Sequence, residues 1–316
     1  AHYSYGAYNT TRYMTGAYSK YNQRQVEALL IYNKQINDHS FDVTLGSSYW
    51  DKIDANATAA GRGASSDYIP TLNAAATPVS VTGTESERVL IGYFGRLNYD
   101  YKNRYLLTVN ARADGASNLG SNSRWVFFPG LSAGWNIHEE NFWSVSTEYI
   151  ASAKFRLSYG VTGNISGLGD YQSQGSYSVG GVYNGKGAIS NTGLANEDLA
   201  WERSKTIDFG LDLGVINNRI RIITDYFNRE TSNLLTSYQL PHSTGFSSII
   251  TNLGSLQNRG YEIELQADIL NPKSKVKWFF AFNAASVKNK ILKLPDNGVE
   301  NNRIGGIYIW DQIGRA

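Results

Sequence analysis

The chain has 316 residues, and its 29 Lys and Arg against 27 Asp and Glu leave a net charge of +2, too weak to argue for a nucleic-acid surface or an acidic tail. It contains no cysteine, which excludes disulfide scaffolds, thiolate zinc sites and cysteine nucleophiles within it. No apolar run approaches the roughly 18 residues of a membrane helix, charged residues are only 18%, and 22 tyrosines dominate the aromatics, a side chain suited to places where oil meets water.

Residues 1–22 are rich in tyrosine and fit either a strand or a loop. No signal peptide opens the chain and its single methionine is Met14, so a mature or partial chain is expected. Ten segments then alternate with period two, the mark of strands: about 25–36, 40–53, 87–101, 104–114, 125–137, 153–163, 204–214, 219–231, 258–270 and 275–287. In 153–163, Phe155, Leu157, Tyr159 and Val161 share one face while Lys154, Arg156 and Ser158 share the other. The run from Gly260 to Leu270 repeats this, with Tyr261, Ile263 and Leu265 opposing Glu262, Glu264 and Gln266.

The connections are uneven. Tight links rich in turn residues are expected at 37–39, 102–103, 215–218 and 271–274, and a 15-residue link at 138–152, with a helical turn near Glu139 to Trp143. The alternate links are long and rich in Gly, Ser, Asn and Thr, at 54–86, 115–124, 164–203 and 232–257. Short links at one end and long ones at the other predict an all-β, antiparallel transmembrane β-barrel with periplasmic turns and outer loops. Tyr99, Tyr101, Tyr105, Trp135 and Trp278 lie on the apolar face beside short links, where an aromatic girdle belongs. Period two alone does not say which face meets solvent, and a soluble β-sandwich gives the same alternation. Strand length, loop asymmetry, tyrosine placement and low charge favour the barrel.

From about residue 87 onward the motifs resemble the SusC/RagA-like TonB-dependent transporters. The blocks, in order, are Gly92 to Tyr99, Lys102 to Thr108, Arg112 to Ser117, Arg124-Trp125, Phe128-Pro129, Gly134 to Ile137, Arg156 to Asn164, Asn196 to Glu202 and Asn252 to Glu262. Each is weak alone, and their order over some 200 residues makes the match specific. Ala116, Leu119 and Asn136 depart from the family's usual serine, phenylalanine and arginine. The resemblance implies a 22-stranded barrel closed by a plug, of which residues 1–316 are a middle section belonging to one barrel domain. A complete ten-stranded barrel is the alternative. The plug is not recognisable in this chain.

The resemblance further implies TonB-dependent import of large nutrients, oligosaccharides first and peptides second, with a SusD-type surface lipoprotein as lid and the TonB complex acting through the plug. A passive porin or adhesin on the same scaffold is the rival. No catalytic residue, cofactor or metal ligand is expected. The stretch Gly180 to Gly187 nearly matches a phosphate-binding loop but ends in glycine and lies in a long loop, so it reads as a flexible outer loop. His2, His39, His138 and His242 have no metal-ligand spacing. The polar faces nominate lumen residues Arg96, Arg112, Asp114, Arg156, Asp208, Asp212, Glu262, Glu264 and Asp268, a wall basic over the earlier strands and acidic over the later. The outer loops nominate Tyr171, Tyr177, Tyr183, Trp201, Tyr238 and Phe246 as ligand or lid contacts, with packing on one another as the plainer alternative.

Overall fold

The computed structural model describes residues 12–66, 68–69, 71–146, 148–270 and 274–293. They form fourteen strands: β1 (Met14–Ile36), β2 (His39–Arg62), β3 (Thr77–Tyr101), β4 (Tyr105–Ala116), β5 (Trp125–Asn136), β6 (Ile150–Asn164), β7 (Ser176–Tyr183), β8 (Lys186–Gly193), β9 (Glu202–Val215), β10 (Ile220–Ser232), β11 (Leu235–Gln239), β12 (Ser248–Asn252), β13 (Ser255–Asp268) and β14 (Phe279–Lys293). Ten of them make one antiparallel sheet in the order β1-β2-β3-β4-β5-β6-β9-β10-β13-β14, each beside the previous sheet strand in the chain. The pairs β7–β8 and β11–β12 are separate hairpins that interrupt this meander.

All ten expected strands are present, and the short links lie where turn chemistry placed them. Lys102 and Asn103 both take positive φ, 56° and 54°, as a two-residue hairpin turn requires. The β9–β10 turn holds Ile216, Asn217 and Asn218 at positive φ in succession. The link after β5 begins with one short 3-10 turn, Ile137–Glu139, slightly before the expected position. Most of the link at 271–274 lies outside the described residues, as do residues 1–11 of the tyrosine-rich start.

Two expectations need correction. The predicted loop at 54–86 is mostly strand, because β2 runs on to Arg62 and β3 begins at Thr77. Likewise β1 starts at Met14, eleven residues early. These extensions carry mostly small and polar residues, so no sustained alternation marks them. Secondly, the long loops 164–203 and 232–257 are not featureless, since each contains a hairpin. The Gly180–Gly187 stretch is the body of one of them: Asn184 and Gly185 at φ 49° and 73° form its turn. No helix follows this turn, so the phosphate-loop likeness has no structural counterpart.

The chain divides into two compact units, residues 1–26 with 49–90, and residues 27–48 with 91–316. In the first, the Arg24 guanidinium forks onto the buried Asp51 carboxylate at 2.8–3.1 Å, and Arg12 donates to the carbonyls of Ala64 and Ser65 at 3.0 Å. The wall and the outer-loop layer described next belong to the second.

Candidate functional site: a two-faced wall and its outer-loop layer

Cross-strand register sorts the side chains of β4–β6, β9, β10 and β13 into two sets. One row reads Leu107, Ala133, Leu157, Phe209, Tyr226 and Tyr261. The next, nearer the short turns, reads Tyr105, Trp135, Phe155, Leu211, Thr224 and Ile263. The large apolar residues Leu107, Leu157, Phe209 and Tyr261 are 37–63% exposed, so the sheet presents a continuous apolar surface that none of the described residues covers. A soluble sandwich would bury this face; a membrane barrel turns it to lipid.

Aromatic rings edge the band at both ends. Beside the short turns, His39 lies over Tyr101 at 4.7 Å, Phe41 over Tyr99 at 5.0 Å and Trp135 over Phe155 at 6.1 Å. Towards the long loops, Tyr93 stacks on Trp125 at 6.0 Å. From Trp135 to Trp125 is ten residues, about 34 Å of strand. At the usual tilt of about 40° this covers roughly 26 Å, the height of an outer-membrane apolar band. The inner girdle is anchored to the 137–149 link: Glu140 accepts from the Tyr105 hydroxyl at 2.5 Å and from Trp135 Nε1 at 3.0 Å, with Arg104 at 3.5 Å. These bonds, Tyr105 first, hold the Glu140 carboxyl below its ordinary pKa range.

All nine nominated charged residues fall on the opposite face; Arg112 and Asp114 pair along one strand, and Arg156 and Asp212 pair across two. Arg112 bonds Asp114 at 2.7 Å and Ser48 at 3.1 Å, and lies over the Phe94 ring at 5.2 Å. Arg96 donates to Asn98, which also receives Thr108. Arg156 forks onto Asp212 at 2.7–3.0 Å and approaches Asp225 Oδ1 at 2.8 Å, too skewed for a hydrogen bond. Glycine makes room for these clamps. A Cβ on Gly210 would stand 2.5 Å from the Arg156 guanidinium carbon, and one on Gly92 would strike Arg112 and Asp114. Asp208 faces Ser158, Glu262 faces Asp225, Glu264 faces Ile223 and Asp268 faces Phe279 across their strand pairs. Asp225, Glu262, Glu264 and Asn283 line a hollow of about 470 Å³. Sequence reasoning missed Asp225 as a clamp partner, though its alternation with Arg221 and Arg229 placed it on this face.

Where the strands leave the membrane, segments 117–124, 165–201 and 233–252 knit into one layer. Gly120 N donates to Leu199 O at 2.9 Å and Asn122 N to Glu197 O at 3.1 Å, so close that a Cβ on Gly120 would overlap the Glu197 backbone. Asn252 accepts from Ala200 N at 2.7 Å and donates to Ala200 O at 2.8 Å, pairing as a backbone strand would. Asn196 donates to Ile250 O at 2.9 Å. Leu119 and Leu199 are fully buried beneath these bonds, and Val161, expected on the lipid face, is buried at the level where the layer begins.

The nominated loop aromatics separate here. Tyr177 and Tyr183 stand exposed on the β7–β8 hairpin and Tyr171 is exposed just before it. Tyr238 on β11 and Phe246 in the following turn are half-buried. Trp201 does not belong with them. It is 8% exposed, donates from Nε1 to Arg124 O at 3.2 Å and packs edge-on against Phe128 at 5.6 Å, so its ring is a core element and offers no face to a ligand. Among the described residues, no group of three or more His, Asp and Glu could hold a metal ion.

A sequence profile of the family described as TonB dependent receptor-like, beta-barrel, matches residues 1–308. The chain belongs to this family of TonB-dependent receptor β-barrels. It is 33% identical to TonB-dependent receptor P39 of Formosa agariphila over 306 residues, 92% of this chain and 29% of that one. It is 36% identical over 224 residues to TonB-dependent receptor SusC of Bacteroides thetaiotaomicron, 67% of this chain and 22% of that one. The RagAB peptide transporter superposes with a TM-score of 0.78 at 25% identity, over 90% of this chain and 32% of that chain. The ferric citrate transporter FecA, at a TM-score of 0.52 and 13% identity over 90% of this chain and 38% of that one, shares the fold alone. This chain thus spans between about a fifth and two fifths of these relatives' lengths. Members of the family reside in the outer membrane as receptors and transporters, and the SusC/RagA-like resemblance is upheld.

Proposed function

We propose that residues 1–316 are part of one transmembrane barrel domain of an importer that draws large nutrients across the outer membrane at the expense of TonB, with a SusD-type lipoprotein as lid. The observation that carries this is the two-faced wall: an exposed apolar band on one side and clamped charges on the other suit a barrel between lipid and an aqueous, plug-filled lumen. Its work is binding and passage, and no bond is broken. Oligosaccharides are the first substrate class, following the resemblance to SusC-like proteins. Peptides are the second reading, favoured by the likeness to the RagAB peptide transporter.

The lumen residues are proposed as the seat of the plug. The hollow beside Asp225, Glu262 and Glu264 has acidic walls and accepts basic side chains. The exposed hairpin tyrosines, Tyr177 and Tyr183, are proposed as ligand or lid contacts; Tyr171, Tyr238 and Phe246 are weaker candidates because of their partners or burial.

The experiment is uptake of labelled oligosaccharides and peptides by cells carrying the full-length gene, with and without TonB. Loss of uptake when TonB is removed supports the importer, and uptake indifferent to TonB establishes the passive porin. Which labelled class enters decides the substrate. Reversing Glu262 and Glu264 to lysine tests the plug seat: large antibiotics should leak in at unchanged barrel abundance, and wild-type permeability would mean the charges are simply solvated.

A further inference from the structure

The apolar face is not uniformly convex. In the row Leu107, Ala133, Leu157 and Phe209, three side chains are large and the one on β5 is a single methyl. In the row below it, β4, β5 and β6 contribute the aromatic rings of Tyr105, Trp135 and Phe155 and β9 contributes Leu211. The result is a groove of about 570 Å³ lined by Tyr99, Tyr105, Ala133, Trp135, Leu157 and Phe209. It extends from β3 to β9, four strand spacings or about 19 Å. The polar tips on its rim are already engaged, since Tyr105 and Trp135 both donate to Glu140.

The position of the groove decides its occupant. It lies within the lipid-facing band, where water does not fill a hollow and the neighbouring medium is hydrocarbon. An apolar groove with aromatic walls touches a seated chain on several sides, and each added contact contributes dispersion that a convex belt does not supply. It also adjoins the short-turn end, where Lys102, paired with Asp38 at 3.2 Å, and Arg104, paired with Glu140 at 3.5 Å, stand one to three residues before Tyr105 and offer a zwitterionic headgroup both charges. We propose that this groove holds an acyl chain of one inner-leaflet phospholipid as a resident lipid, with its headgroup beside the Lys102–Arg104 turn. The site involves no transported ligand and stands or falls independently of the substrate.

The test is native mass spectrometry of the full-length protein, extracted from its outer membrane and washed through detergent exchange. Wild type should retain a single phospholipid. Ala133→Leu, which fills the groove, should lose it, while Ala113→Leu, on the same face near the long loops opposite Phe127, should keep it. Folding of each variant is checked by heat-modifiable gel mobility. No retained lipid, retention undiminished in folded Ala133→Leu, a lipopolysaccharide or detergent adduct in place of phospholipid, or annular lipid only, overturns the proposal. If Ala133→Leu does not fold, wild type loaded with brominated phospholipid and then diluted into unlabelled lipid gives the answer. A slowly recovering fraction of tryptophan fluorescence, absent in Trp135→Phe, supports the site. Recovery as fast as lipid mixing refutes it.

Discussion

Leu157 and Phe209 in the wall are about half exposed, whereas Leu119 and Leu199 in the outer-loop layer are sealed from solvent. One stretch of chain therefore follows two rules. In the wall, apolar side chains point outward and the surrounding lipid completes their packing. In the loop layer, the apolar side chains pack on each other beneath hydrogen bonds between loops, as in a water-soluble protein. The difference teaches where a substitution is felt: truncation leaves a cavity only where protein, not lipid, surrounds the side chain.

The largest expected effect separates the two regions directly. Leu199→Ala should cost about 2–5 kcal/mol, because the rigid layer cannot collapse into the void. Leu157→Ala should cost much less, since lipid flows into the vacated space. Reversible denaturant unfolding of both variants reads this, and equal losses would erase the distinction. A charge inverts the ranking. Leu157→Arg should cost about 2–4 kcal/mol in a refolding assay in bilayers, while Ser158→Arg, one residue on and facing the lumen, should cost far less. The opposite order would place the apolar face inward.

Smaller effects sharpen the lumen side. Gly210→Ala pushes a methyl against the Arg156 guanidinium and should cost about 1–2 kcal/mol, as the fork to Asp212 is lost and water only partly replaces it. Gly160→Ala, with open space around its site, is the matched control and should be near neutral. The smallest effect is a pH dependence at the inner girdle. Glu140 has a lowered carboxyl pKa in the folded chain, so its contribution is present above the unfolded carboxylate pKa and is lost as pH falls through the folded one. Glu140→Gln should therefore lower the unfolding midpoint at neutral pH and converge with wild type in acid. A constant difference across that range would show that the carboxylate is not the operative group.

Much of the wall was legible because membrane strands must alternate: Phe155, Leu157 and Tyr159 against Lys154, Arg156 and Ser158 leave no other strand phase. The Lys102-Asn103 and Asn217-Asn218 turns were legible from residue type. The extensions at 14–24, 54–62 and 77–86 were not, because they carry mostly small and polar residues whose two faces differ too little to show a period. The β7–β8 hairpin carried a signal in Asn184-Gly185, a turn pair inside a Gly-rich stretch that otherwise reads as a flexible outer loop. The burial of Trp201 was hidden for a different reason. Its partners, Arg124 and Phe128, lie more than seventy residues earlier, and only the loop layer brings them together. Likewise nothing local to Asn252 announces that its amide pairs with Ala200.

The chain leaves the loop layer at Ser173 and comes back at Asn196, whose amide bonds the Ser173 carbonyl at 2.9 Å. The β7–β8 hairpin is thus held by a closed neck, and its inter-strand bonds are its own. To an engineer such a neck is a socket: an epitope, a binding peptide or a fluorescent reporter can replace residues 177–192 while the stem below keeps its bonds. To a lineage under attack at the cell surface, the same socket lets an exposed hairpin be rewritten without refolding the rest.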